Sequence, residues 1–207
     1  MERVTRHGTR RSWGLALAVA LVGAVVPSAA ASQETVFDVP DQPWVAGEVE
    51  VPAVADTFAL VRIERYPDLS LGVGLHYGTP FYGNIDLSIY VYPPRPNASR
   101  PAETEFHQAV SDVREYASRQ EWTVDVRRQE PFTLETPAGT SFEGFVAEAV
   151  YTQGRDSART WVYVFEKEEL ILKYRITYAE GGAPPDLDER ILRWVAQTAE
   201  GITRYQG

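Results

Sequence analysis

The chain has 207 residues, 44% of them hydrophobic, with 29 Asp and Glu against 20 Lys and Arg, a formal net charge of −9, and no cysteine. Without cysteine there is no disulfide, no thiolate metal site, no cysteine nucleophile and no lipidated cysteine, so the fold has to be held by its core. The acidic excess opposes phosphate backbones and anionic lipid surfaces, which are bound through clustered Lys and Arg, so nucleic acid is not an expected partner.

Arg3, Arg6, Arg10 and Arg11 precede an apolar run from Trp13 to Val26, and Pro27-Ser28-Ala29-Ala30-Ala31 follows it. This charged, apolar and small-residue order is that of a secretory signal, with cleavage expected after Ala31. The run of about 14 residues is shorter than the roughly 20 that span a bilayer, so no membrane span is expected after cleavage. Thr9-Arg10-Arg11-Ser12-Trp13 resembles a twin-arginine export signal, although Gly14 and Leu15 depart from the usual pattern, and both export routes stay open. Loss of residues 1–31 removes four arginines and Glu2, which takes the net charge from −9 to −12 over the remaining 176 of 207 residues. That length suffices for a single domain with an adequate core. Three units are expected: a signal peptide at 1–31, an extended lead-in at 32–56, and one domain at 57–207 working in the periplasm or outside the cell.

The lead-in is rich in Pro, Asp and Glu with few periodic apolar residues, which predicts extended chain with one short edge strand near Thr35 to Val39. Phe58 to Tyr66 reads as a strand closed by Pro67-Asp68, and Leu71, Val73, Leu75 and Tyr77 then alternate with Gly72, Gly74 and His76. After a loop holding Gly78, Pro80 and Gly83, Ile85, Leu87, Ile89 and Val91 alternate with Asp86, Ser88, Tyr90 and Tyr92, the clearest strand in the chain. Pro93, Pro94 and Pro96 stop it.

Pro101 suits the first turn of a helix running to about Arg119, with Phe106, Ala109, Val110, Val113 and Tyr116 on one face. Glu103 and Glu105 near its start and Arg114 and Arg119 near its end agree with the helix dipole. Trp122 to Arg127 then alternates, and a short run at Phe132 to Leu134 follows Pro131. Three strands come next, Ser141 to Tyr151, Thr160 to Phe165 and Leu170 to Tyr178, joined by links short enough for antiparallel hairpins. A final helix is expected from Asp186, which can cap it with Glu189 three residues on, to about Thr203. The order of strands, helix, strands and helix predicts an α+β fold: a twisted antiparallel sheet of about seven strands with two packed helices. This element order, from about Phe58 to Thr203, resembles the PsbP-type α/β/α domain of small exported or lumenal proteins. The stretch Leu71 to Tyr77 followed by Asp86 to Tyr92 is similar to uncharacterised secreted bacterial proteins. Both resemblances imply location and fold and carry no functional residue.

Candidate chemistry is sparse. Beyond the signal the chain has two histidines, His76 and His107. His76 lies in a strand beside Gly72 and Gly74, which would leave room for a ligand to approach the backbone. His107 is expected to face solvent. There is no Gly-x-Ser-x-Gly elbow for a nucleophilic serine, and two histidines do not make a zinc hydrolase site. Asp186, Asp188 and Glu189 could be read as calcium ligands, but a helix cap explains them more simply. Tyr90, Tyr92, Trp161, Tyr163, Tyr174 and Tyr178 fall on strands, with Lys173 and Arg175 alternating with the last two, so one sheet face can combine rings with basic tips. The expected function is an accessory or binding domain, taking an envelope protein or a small ligand without a cofactor or metal, through Gly72, Gly74, His76, Tyr90 and Tyr92. The alternative is a small extracytoplasmic hydrolase with an acidic site.

Overall fold

The computed structural model describes residues 32–35, 44–46 and 49–204. The expected signal peptide and most of the expected edge strand at Thr35 to Val39 lie outside the described residues. The chain starts with β1 (Ser32–Thr35), β2 (Trp44–Ala46), β3 (Val49–Val51), β4 (Val54–Ala55) and β5 (Phe58–Arg65), and a 3-10 turn at Leu69–Leu71 leads into β6 (Val73–Gly78) and β7 (Ile85–Tyr92). Helix α1 (Pro101–Arg119) comes next, then β8 (Thr123–Glu135), β9 (Ser141–Gln153), β10 (Asp156–Lys167), β11 (Leu170–Ala179), α2 (Leu187–Gly201) and β12 (Thr203–Arg204).

Among the described residues, nine strands form one open antiparallel sheet in the order β1-β5-β6-β7-β11-β10-β9-β8, with β4 also on β5. A second small sheet pairs β12, β3 and β2. The α+β class therefore stands, with a larger sheet than the seven strands expected. Val49 and Val51, in the stretch expected as lead-in, are buried in the core. The two pieces expected around Pro131 are one strand, β8. It bulges between Val126 and Arg128. Because β8 ends the sheet order, Pro131 can sit in it without leaving a neighbouring strand short of a donor.

Alternation along the strands gives the sheet two different faces. On one, Leu75, Leu87, Ile89, Leu172, Tyr174 and Ile176 belong to one core cluster with Trp194 of α2, and all are fully buried. Trp161, Tyr163 and Tyr178 lie on this same face. On the other, α1 lies against β8, β9, β10 and β11, and the small Ala147, Ala149 and Ala109 let it approach closely. α1 does not extend over β5 and β6, whose residues on that side are mostly polar or glycine.

The expected Asp186 cap does not form. Its carboxylate instead accepts a 2.7 Å hydrogen bond from Arg190 Nε, one helical turn on. The other end of α2 is held from outside: Lys167 Nζ donates to the carbonyls of Ala199, Glu200 and Ile202 at 2.9, 2.8 and 2.7 Å. These are among the carbonyls that a helix terminus leaves without intrahelical donors. No described helix is long and apolar enough to cross a membrane.

Candidate ligand-binding cleft

On the α1 side of the sheet, the register aligns rows of residues across β5, β6, β7 and β11. Glu64, Gly74, Tyr90 and Lys173 form one row. Arg62, His76, Ser88 and Arg175 form the next. Where β7 ends, Pro93 to Pro96 turn away from the sheet and lead into α1. Between this segment, the start of α1 and the floor of β7 and β11 lies a cavity of about 530 Å³. Tyr66, Tyr90, Tyr92, Lys173, Glu105 and Asp112 line it, together with the proline segment.

Lys173 stands on the floor with its ammonium 5.1 Å from the Tyr90 ring centroid and 5.4 Å from that of Tyr92. These are cation–π distances. Among the described residues the ammonium has no hydrogen bond and no ion pair. Burial pushes its pKa down, and Arg175 and Arg95 push the same way, against the charges of Asp112 and Glu105. Glu105, on the wall formed by α1, is only 3% exposed. Its Oε2 accepts a 2.9 Å hydrogen bond from Tyr92 Oη, while Oε1 is 2.6 Å from Arg95 Nε without an aligned hydrogen bond. Burial and the Glu105 charge together push the Tyr92 pKa well up. Asp112 accepts from Gln108 Nε2 at 2.8 Å. Arg175 donates to Tyr151 Oη at 3.4 Å and lies 5.4 Å from the Tyr116 ring centroid.

His76 is on the same face but outside the cavity, and 6% exposed. Ser88 Oγ donates to Asp86 at 2.8 Å and lies 3.0 Å from His76 Nδ1. Since the one serine proton goes to Asp86, His76 Nδ1–H must be the donor to Ser88. Its Nε2 is then free to accept from Arg62 Nη2 at 3.1 Å, with Glu64 Oε2 3.4 Å away. Burial, aided by Arg62, holds the His76 pKa down, so the ring is neutral near neutral pH. Ser88, His76 and Glu64 match a nucleophile, base and acid in kind only. Ser88 is 1% exposed and its proton is directed away from the histidine.

The glycines do not leave open space. A Cβ on Gly72, whose φ is +66°, would fall 1.9 Å from the Val91 carbonyl oxygen. Beside Gly74 the room is taken by Glu64 and by the Tyr66 hydroxyl, 3.5 Å from where a Cβ would stand. Tyr66 donates to Glu64 at 3.2 Å, and burial with the Glu64 charge pushes its pKa up to about 12. Strand β6 is interior to the sheet, not an edge.

Of the expected residues, Tyr90 and Tyr92 thus line the cleft, Gly74 lies against Tyr66 of its lining, and Gly72 and His76 are not part of the lining. Trp161, Tyr163, Tyr174 and Tyr178 belong to strand positions of the α2 face, and Tyr174 also contributes to the lining of the cavity between Lys173 and Arg175. His107, with its side chain 60% exposed, is 4.0 Å from Glu103. Asp188 accepts from Trp161 Nε1 at 3.2 Å and Tyr178 Oη at 2.5 Å. Among the described residues no three His, Asp or Glu side chains are grouped to hold a metal ion. Glu105, Asp112 and Tyr66 carried no sign of a site in the sequence.

Neither a protein-family model nor a curated protein matches the chain. Among solved structures it is similar to the solution structure of cyanobacterial PsbP from Synechocystis sp. PCC 6803, at 14% identity and a TM-score of 0.48, covering 89% of this chain and 99% of that one. It is also similar to the crystal structure of PA94 from Pseudomonas aeruginosa, a protein of unknown function titled a putative regulator. That match has 12% identity and a TM-score of 0.34, covering 72% of this chain and 89% of the other. The α+β class rests on strand order and register themselves.

Proposed function

We propose that the chain is an exported accessory module that binds a small ligand in the cleft between α1 and the β7–β11 floor. The observation that carries this reading is the cavity of about 530 Å³, walled by tyrosines and prolines with a few inward polar groups. Ligand pockets have this size and this mixture of apolar wall and sparse polar anchors. Export is supported by the arginines, apolar run and small residues of the first 31 positions. Hydrolysis by a serine or histidine is not favoured, since the cleft is lined by no histidine and the serine beside His76 is buried.

Two measurements test the reading. Expressed in full in a Gram-negative host, the protein should accumulate outside the cytoplasm with a mass lacking residues 1–31; an unprocessed cytoplasmic product overturns the export half. Titrated with a library of small fragments, the isotope-labelled protein should show amide shifts concentrated at Tyr90, Tyr92, Arg95, Glu105 and Lys173. Shifts confined to other surfaces, or none with any fragment, overturn the binding half.

A further inference from the structure

Resting on the cleft as a binding site, we infer that its ligand is a small organic monocarboxylate with a flat apolar body, its carboxylate paired with Lys173. A cation taken out of water costs free energy unless a counter-charge meets it. The two ring faces under the Lys173 ammonium offset only part of that cost. The acids of the cleft make their own contacts elsewhere, Glu105 with Arg95 and Tyr92 and Asp112 with Gln108, and neither forms an ion pair with Lys173. Arg175, next on the same face of β11, also forms no ion pair among the described residues. Among the described residues no carboxylate stands within ion-pair distance of Lys173 or Arg175, and Asp112 and Glu105 act on Lys173 only from farther off, so a bound anion can take the contact position that no side chain fills.

The walls restrict which anion fits. Tyr66, Tyr90, Tyr92 and the prolines at 93, 94 and 96 offer ring faces and apolar edges, suited to stacking a planar hydrocarbon body. Glu105 and Asp112 on the opposite wall repel a second negative charge, which disfavours phosphate esters and dicarboxylates. A ligand amine would meet Lys173 and Arg175 and is rejected for the same reason with the sign reversed. Charge on the floor, rings on the walls and acid on the helix together describe one ligand class.

The test is calorimetric titration with a matched series: 2-naphthoate, 2-naphthamide, 2-naphthylmethylamine and 2,6-naphthalenedicarboxylate. The carboxylate should bind at least about tenfold more tightly than the amide, the loss typical of an unanswered charge in a site built for one. The dicarboxylate should be weaker than the monocarboxylate, and the amine should not bind. Lys173→Met should bring the carboxylate down to the affinity of the amide and leave the amide unchanged, while Lys173→Arg should keep the preference. An unaltered circular dichroism spectrum shows that the variants are folded. Equal binding of acid and amide, or a preference that survives Lys173→Met, overturns the charge assignment and leaves the cleft as a binding site. Failure of the whole series to bind overturns the ligand class, whereas failure of every fragment in the amide-shift titration overturns the cleft itself.

Discussion

Lys167→Met should destabilise the protein by about 3 kcal/mol, although the residue is remote from the cleft. In the wild type one half-buried ammonium donates to three carbonyls at the end of α2, at 2.7 to 2.9 Å. It also lies 5.5 Å from the Phe142 ring centroid. A hydrogen bond to a charged group contributes about 1.5–3 kcal/mol, and a cation at a helix C-terminus adds about 0.3–1 kcal/mol. The three bonds share one charge, and water can reach part of the exposed helix end, so a total of about 2–4 kcal/mol is expected rather than three full contributions. For a domain of this size that corresponds to a fall in melting temperature of about 4–16 °C. Urea unfolding followed by tryptophan fluorescence provides the assay, since Trp194 lies fully buried in α2. A loss below about 1 kcal/mol would show that solvent replaces the ammonium freely and that α2 needs no external cap.

Three further outcomes follow from the same geometry. Gly72→Ala should cost at least about 3 kcal/mol, combining a left-handed φ of +66° with a Cβ placed against the Val91 carbonyl, and denaturant unfolding measures it. Gly74→Ala should be nearly silent in stability, because its Cβ meets Glu64 and Tyr66 at ordinary contact distances, while Gly74→Val should displace Tyr66 and weaken cleft binding in a folded protein. Alkali should unfold the protein cooperatively: burial raises the pKa values of Tyr77, Tyr90, Tyr92 and Tyr174. The folded state then keeps protons that the unfolded state loses above pH of about 10, so stability is intact below that value and falls above it by about 1.4 kcal/mol per tyrosine per pH unit. Tyrosinate absorbance and unfolding should rise together, and ionisation of all the tyrosines in a still-folded protein would refute this.

The sequence made the sheet legible because β7 alternates cleanly: Ile85, Leu87, Ile89 and Val91 take the α2 side, which leaves Tyr90 and Tyr92 for the other. Lys173 and Arg175 were readable as basic tips beside rings for the same reason. Glu105 was not, since an acid in the first turns of a helix is equally well explained by the dipole. Only the close seating of α1 on alanines turns that carboxylate towards Tyr92 and Arg95. The partners of His76 depend on how β5, β6 and β7 slide past one another, including a bulge between Leu60 and Arg62. Composition holds no record of such a register. Strand β3 was missed because three residues are too few to display a period.

The pairing of β12 with β3 joins segments from nearly opposite ends of the described chain. Closing so long a loop gives no return in contacts until both ends are present, which makes folding slow compared with that of a locally wired domain. Ile202, Lys167 and the end of α2 all meet at this closure. A growing chain lacking its last few dozen residues thus has neither α2 nor the strand that fastens it, and half of its sheet has no cover. Such a polypeptide acquires its final compactness only after α2 and the strand that follows it arrive.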